Sequence, residues 1–186
     1  MIGSITNKTH SKHGGRNIVL HALCVLSVLM ATSLSALADK VYQSPADFVK
    51  SEFAGKVPSP RVQSLSAEMQ KRIAQMNGRK YAAQRVRYWS SGSKTVYILN
   101  SIGKTQPITC GYVLEGKKLS KVKVLVYRES HGDEVSRSYF TKQFRSLTLK
   151  KNGKLSRKPG NIAGATMSVR SLQRMARVAL YLESNK

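Results

Sequence analysis

Apolar positions along this chain change their spacing several times, and each change predicts a different element. A nearly unbroken apolar run from Ile18 to Ala31 follows Lys8, Lys12 and Arg16 and precedes Ala36-Leu37-Ala38. That is the pattern of a secretory leader with a small-residue cleavage site before Asp39. The run with its tail is nearly long enough to span a bilayer, so an uncleaved anchor over residues 17–38 is a second reading of the same segment. Beyond it the spacing becomes helical. Ser44-Pro45 opens a short helix holding Phe48, Val49 and Phe53, closed by Gly55, Pro58 and Pro60. Leu65, Met69, Ile73 and Met76 predict a second helix, with Ser64 as its cap and Gly78 as its stop, and their stripe reads as packing.

From Tyr81 the period falls to two. Val86 and Tyr88, then Val96 and Ile98, flank Ser90-Ser91-Gly92-Ser93 as a hairpin, and Gly103 to Pro107 makes the next turn. Ile108 to Leu114 and Leu119 to Tyr127 pair across Glu115-Gly116-Lys117-Lys118. Helical spacing returns near Tyr139 to Phe144 and in a last helix from Val169 to Leu182. That helix carries Leu172, Met175, Ala176, Ala179 and Leu180 on one side, and Arg170, Arg174 and Arg177 on another. The expected class is α+β: an antiparallel meander sheet of about four strands covered by N- and C-terminal helices. The three arginines face solvent, an acidic partner or a membrane in this reading.

Without residues 1–38 the chain keeps 148 residues, enough for one domain with a real core. Residues 39–104 supply its first helices and first hairpin, and residues 105–186 the remainder. The same removal leaves 29 basic residues against 9 acidic ones, a formal charge of +20. Such a charge calls for an anionic partner or surface, or serves solubility alone. A leader directs the chain away from the genome, and no zinc-finger, RRM or recognition-helix pattern is present, so the reading excludes nucleic acid in favour of anionic membrane surfaces, cell-wall polymers or acidic redox proteins. Cys24 falls in the leader behind Leu23, which occupies the place where a lipoprotein needs a small residue. Cys110 is then alone, no intrachain disulfide forms, and its apolar strand marks it as a small buried hydrophobe. The His and Cys residues have no metal-ligand spacing. All histidines but His131 lie in the leader, so hydrolytic triads lack a base, and no GxGxxG follows a strand to support a nicotinamide-dependent reductase.

Candidate chemistry concentrates in Ile162-Ala163-Gly164-Ala165-Thr166-Met167-Ser168, where a hydroxyl stands at a small-residue turn leading into a helix. Gly164 and the alanines leave room for a bulky group, and the first free N–H groups of the helix favour a phosphate there. Arg170 would add its charge. The plainer reading makes Ser168 an ordinary N-cap. The stretch resembles the Gly-Ala-Thr flavinylation motif of the FMN-binding domain family, which includes flavoprotein subunits of the sodium-translocating NADH:quinone reductase and of the Rnf complex. A second stretch, Glu129-Ser130-His131-Gly132-Asp133-Glu134-Val135 with Phe140, Gln143 and Phe144 after it, resembles that family's Glu-Thr-Pro-Gly loop and following helix, with His131 in place of Pro. Cys110 to Leu114 and Val122 to Tyr127 are similar to its strand pair.

The resemblance covers residues 105 to 182. It implies FMN joined to Thr166 by a phosphoester, with Ala163, Gly164, Ala165, Ser168, Glu129, Gly132 and Arg170 around it. It also implies a flavin transferase for maturation and a membrane reductase or cytochrome as redox partner. The protein would then be a periplasmic or otherwise extracytoplasmic electron carrier rather than a stand-alone enzyme. Glu129 would orient a ring nitrogen or cap a strand end, and Gly132 would let backbone approach closely. The family commonly has Ser at the position of Ala163 and an acid at that of Gly160. Those altered flanks are the ground for an alternative from another class, a basic exported module that binds an anionic polymer or membrane surface without flavin.

Overall fold

The computed structural model describes residues 39–186, with Gly3 alone before them, so the leader or anchor expected over residues 1–38 lies outside the described residues. No helix among the described residues is long and apolar enough to cross a membrane. Six strands form one open antiparallel sheet: β1 (Lys40–Val41), β2 (Arg61–Ser64), β3 (Arg85–Ser91), β4 (Lys94–Ile102), β5 (Pro107–Glu115) and β6 (Lys118–Tyr127). The helices are α1 (Pro45–Glu52), α2 (Ala67–Asn77), α3 (Ser138–Thr141) and α4 (Thr166–Glu183), with 3-10 turns at Asp133–Ser136 and Lys142–Phe144.

The α+β class and the meander hold, while the strand number is six rather than four. The two additional strands sit at the edges, in the order β1-β6-β5-β4-β3-β2. Neither buries an alternating face: Lys40 and Val41 are both exposed, and Val62 in β2 is 57% exposed. Edge pairing is a backbone matter here, so apolar periodicity carries no trace of it. The three predicted turns stand where expected, closing Ser91 on Lys94, Ile102 on Pro107 and Glu115 on Lys118.

Helix α1 begins as expected. The Ser44 side chain accepts a hydrogen bond from the Asp47 amide at 3.0 Å, and Pro45 needs no amide partner there. Helix α2 is capped by Ser66, which accepts from the Met69 amide at 3.2 Å, and not by Ser64, which ends β2. Gly78 stops it in the left-handed conformation.

The central strands bury both faces, which is why β5 is buried at every position but its ends. On one face Tyr97, Leu99, Cys110, Tyr112 and Leu114 meet α4 through Leu172, Ala176, Ala179 and Leu180, with Ile73 of α2 and the Phe140–Phe144 pair filling in. Those two rings stand edge to face, centroids 5.6 Å apart. On the other face Phe48 and Val49 of α1 cover Val96, Val113, Leu125 and Val126. The sheet turns Leu125 and Val126 to that side by a bulge: Cys110 stands opposite Val124 while Thr109 stands opposite Val126, leaving Leu125 as the extra residue.

Gly111 makes the second layer possible. A Cβ there would come 2.2 Å from Cε1 of Phe48, so α1 lies against the sheet only because β5 carries no side chain at that point. Gly111→Ala is expected to push Phe48 out of its seat and lower unfolding stability by about 2 kcal/mol, the scale of core overpacking. Urea denaturation of the variant beside the parent protein measures this, and an unchanged midpoint would refute the packing.

Candidate functional site

The two segments singled out for flavin chemistry meet at the Tyr127 hydroxyl. Strand β6 ends at Tyr127, whose ring is fully buried, and its Oη donates to the His131 carbonyl while lying 2.8 Å from Ser168 Oγ. With its proton committed to His131, the phenol accepts from Ser168. Burial pushes the Tyr127 hydroxyl up to about 12 despite the opposing hydrogen bond with Ser168. It therefore stays a donor across the ordinary pH range. One side chain thus ties the loop after β6 to the first turn of α4, 41 positions away.

Gly132 sits inside this clasp at φ 92°, where a Cβ would come 3.0 Å from both Ser168 Oγ and Tyr127 Oη and 3.2 Å from Ala165 Cα. A residue without a side chain is required here because the turn before α4 packs directly against Gly132. Ser168 is not the cap of that helix. Helix α4 starts at Thr166 with Ala165 at the N-cap, so Ser168 lies within the first turn, 3% exposed, and spends its hydroxyl on Tyr127. Ala165 is buried and offers no side-chain oxygen to the first amides.

Thr166 is half-buried, between exposed Ala163 and Gly164 on one side and exposed Met167 on the other. Its Oγ1 accepts from Asn161 Nδ2 at 3.2 Å. Gly164 takes φ 77° with open space where a Cβ would be, so the turn can double back before the helix without crowding Thr166. The loop ahead is anchored from two sides: Gly160 N–H donates to Gln143 Oε1 at 2.7 Å, and Gln173 Nε2 of α4 donates to the Pro159 carbonyl at 3.1 Å. A Cβ at Gly160 would lie 3.3 Å from Gln143 Oε1, so a side chain there would press on the group that holds the loop. Arg170 is exposed one turn beyond Thr166, whereas Arg174 is only 8% exposed and Arg177 is half-buried, donating to Asn77 Oδ1. The expected solvated arginine face is corrected accordingly: of the three, only Arg170 is exposed, Arg177 is half-buried and Arg174 is buried.

Glu129, 6% exposed, stands apart from Thr166 in its bonding. Its carboxylate accepts from the amides of Thr105 (2.7 Å) and Gln106 (2.9 Å) and from Thr105 Oγ1 (3.1 Å), holding the turn between β4 and β5. These bonds cap the facing ends of β4 and β5. Cys110 is buried, and burial lifts its thiol to about 12, in keeping with an inert hydrophobe. Sequence reasoning missed Tyr127 as a clasp and Asn161 as a partner of Thr166; neither stands at a motif position. Neither models of known protein families nor curated proteins match the chain.

Burial alone would raise the Glu129 carboxyl, but the Gln106 and Thr105 hydrogen bonds outweigh it and hold the group below its ordinary value. Its stabilisation is therefore complete above the unfolded carboxyl range, near 4.3, and fades as pH falls through the lower folded value. Glu129→Gln should cost about 2 kcal/mol at pH 7. The difference from the parent should shrink in acid, as read by urea denaturation at pH 7 and pH 3. A penalty that is the same at both would show that the charge plays no part.

Proposed function

We propose that this protein is an exported electron carrier that bears FMN at Thr166, joined through its phosphate, and works outside the cytoplasm with a membrane reductase or cytochrome. A flavin transferase would make the ester bond. The observation that carries this reading is the setting of the Thr166 hydroxyl: half-buried at the first turn of an 18-residue helix, behind a left-handed Gly164 and an N-cap without an oxygen of its own. The free amides of such a turn and its positive dipole end favour a phosphate, and Arg170 one turn on adds a full charge.

The surrounding residues suit a tethered cofactor. Exposed Ala163 and Gly164, the latter with open space where a Cβ would be, flank buried Ala165 ahead of Thr166, while Gly132 and Ser168 hold the neighbouring loop against the helix. Flavin supplies the redox chemistry when bound; the chain's own part is to fix the phosphate, keep the ring near one place and leave an edge open to a partner. Asn161 would hand its hydrogen bond from the Thr166 oxygen to a phosphate oxygen without moving far, since it already points there at 3.2 Å.

Intact-mass measurement of the exported protein from cells that possess a flavin transferase tests the proposal. The expected mass is that of the chain plus one FMN less water. The increment should vanish in Thr166→Ala and persist in Thr166→Ser. An unmodified, colourless product that still binds anionic vesicles would overturn the flavin reading and favour the basic binding module.

A further inference from the structure

The sheet splits between two of its central strands. The ladder joining β3 to β4 runs from Ser91 and Lys94 only as far as Tyr88 and Tyr97. Continued in the same register it would pair Arg87 with Ile98, Val86 with Leu99 and Arg85 with Asn100. Instead β3 stays with β2 down to Arg85, and β4 stays with β5 up to Ile102. Between the parted strands lies a cavity of about 420 Å³, lined on one side by Arg85 to Arg87, on the other by Ile98 to Ile102, and also by Arg174 and Met175 of α4. Backbone groups on the facing strand edges have no ladder partner across it.

Five cations line this cleft, Arg79, Lys80, Arg85, Arg87 and Arg174, and no acidic residue does. None of the ion pairs among the described residues involves any of them. The sequence accounts for the imbalance, since no acidic residue occurs between Glu68 and Glu115. Arg174 is the telling member. Its Nη2 donates to the Ile102 carbonyl at 2.7 Å, but its Nε is buried without a hydrogen-bond partner. Burial, and after it the guanidiniums of Arg79, Arg177 and Arg170, lower its affinity for its proton. A buried guanidinium with no counter-ion and an unused donor is unfavourable as it stands. An anion in the cleft would supply the missing counter-charge.

We infer that this cleft binds a small organic phosphate carrying at least two negative charges. Volume and lining select that class. The cavity falls within the small-molecule range, guanidinium forks fit phosphate oxygens two at a time, and Tyr81, Val86 and Met175 offer an apolar wall to the rest of the ligand. The site is separate from Thr166: Arg174 lies eight residues further along α4, a rise of about 12 Å. Its occupancy does not depend on covalent flavin.

Calorimetric titration of the full chain with pyrophosphate, inorganic phosphate and phenyl phosphate in 0.15 M NaCl tests this. Pyrophosphate should bind saturably at one site, and phenyl phosphate at least tenfold more tightly than inorganic phosphate. Affinity for pyrophosphate should fall at least tenfold in Arg174→Lys. The same loss is expected in the double variant Arg79→Gln, Arg87→Gln, whose side chains are exposed. Thr166→Ala should leave pyrophosphate binding unchanged, and the double variant should leave flavin incorporation unchanged, so that the two proposals fail separately. Binding that is unsaturable, or equal in the parent and the double variant, would overturn the inference.

Discussion

The hydroxyl of Tyr127 is the point on which the arrangement of the candidate site depends. It stands at the end of β6, where the chain leaves the sheet, and it engages both the loop that follows and the helix that closes the fold. A neutral hydrogen bond contributes about 1 kcal/mol net, yet leaving a buried hydroxyl unpaired costs more. Because Tyr127 and Ser168 are both buried, each enforces the position of the other. Gly132 follows from the same constraint: only a residue without a side chain fits between those hydroxyls and Ala165 at a positive φ. Ser168 is then drawn into the first turn of α4, which leaves Thr166 at the helix start and Ala165 at the cap.

The sheet sets where these pieces can be. Its central strands carry a layer on each face, and the bulge at Leu125 lets β6 serve both, sending Leu125 and Val126 toward Phe48 and Val124 and Tyr127 toward α4. Without that extra residue, strict alternation would turn Tyr127 away from Ser168. Toward β2 the sheet is less regular, and the parting of β3 from β4 opens a basic cleft beneath which α4 passes. One helix thus borders two separate features, the hydroxyl clasp near its start and the arginine cleft two turns later.

Much of the architecture was legible in the residues. Alternation from Val86 to Tyr127 gave the four long strands and all three turns, and the apolar stripe of α4 gave the face it buries, because each of those elements sinks a full side-chain row into the core. Edge strands β1 and β2 left no such mark. Ser64 and Ser66 are equally good caps on paper, and only the hydrogen bond to the Met69 amide separates them. Arg174 read as part of a solvated face because its neighbours Arg170 and Arg177 are four and three residues away, whereas the splayed strands bury it against the Ile102 carbonyl. The Thr166 turn was visible as a motif of small residues. Its coupling to Gly132 through Tyr127 was not, since a tyrosine ending an apolar strand looks like any other core aromatic.

A double-mutant cycle on Tyr127→Phe and Ser168→Ala, followed by urea denaturation at neutral pH, tests the clasp most directly. The two losses should be non-additive, with a coupling of about 1 kcal/mol between the hydroxyls. Losses that sum to the double variant within about 0.3 kcal/mol would contradict the clasp, because sites that do not share an interaction are additive on that scale.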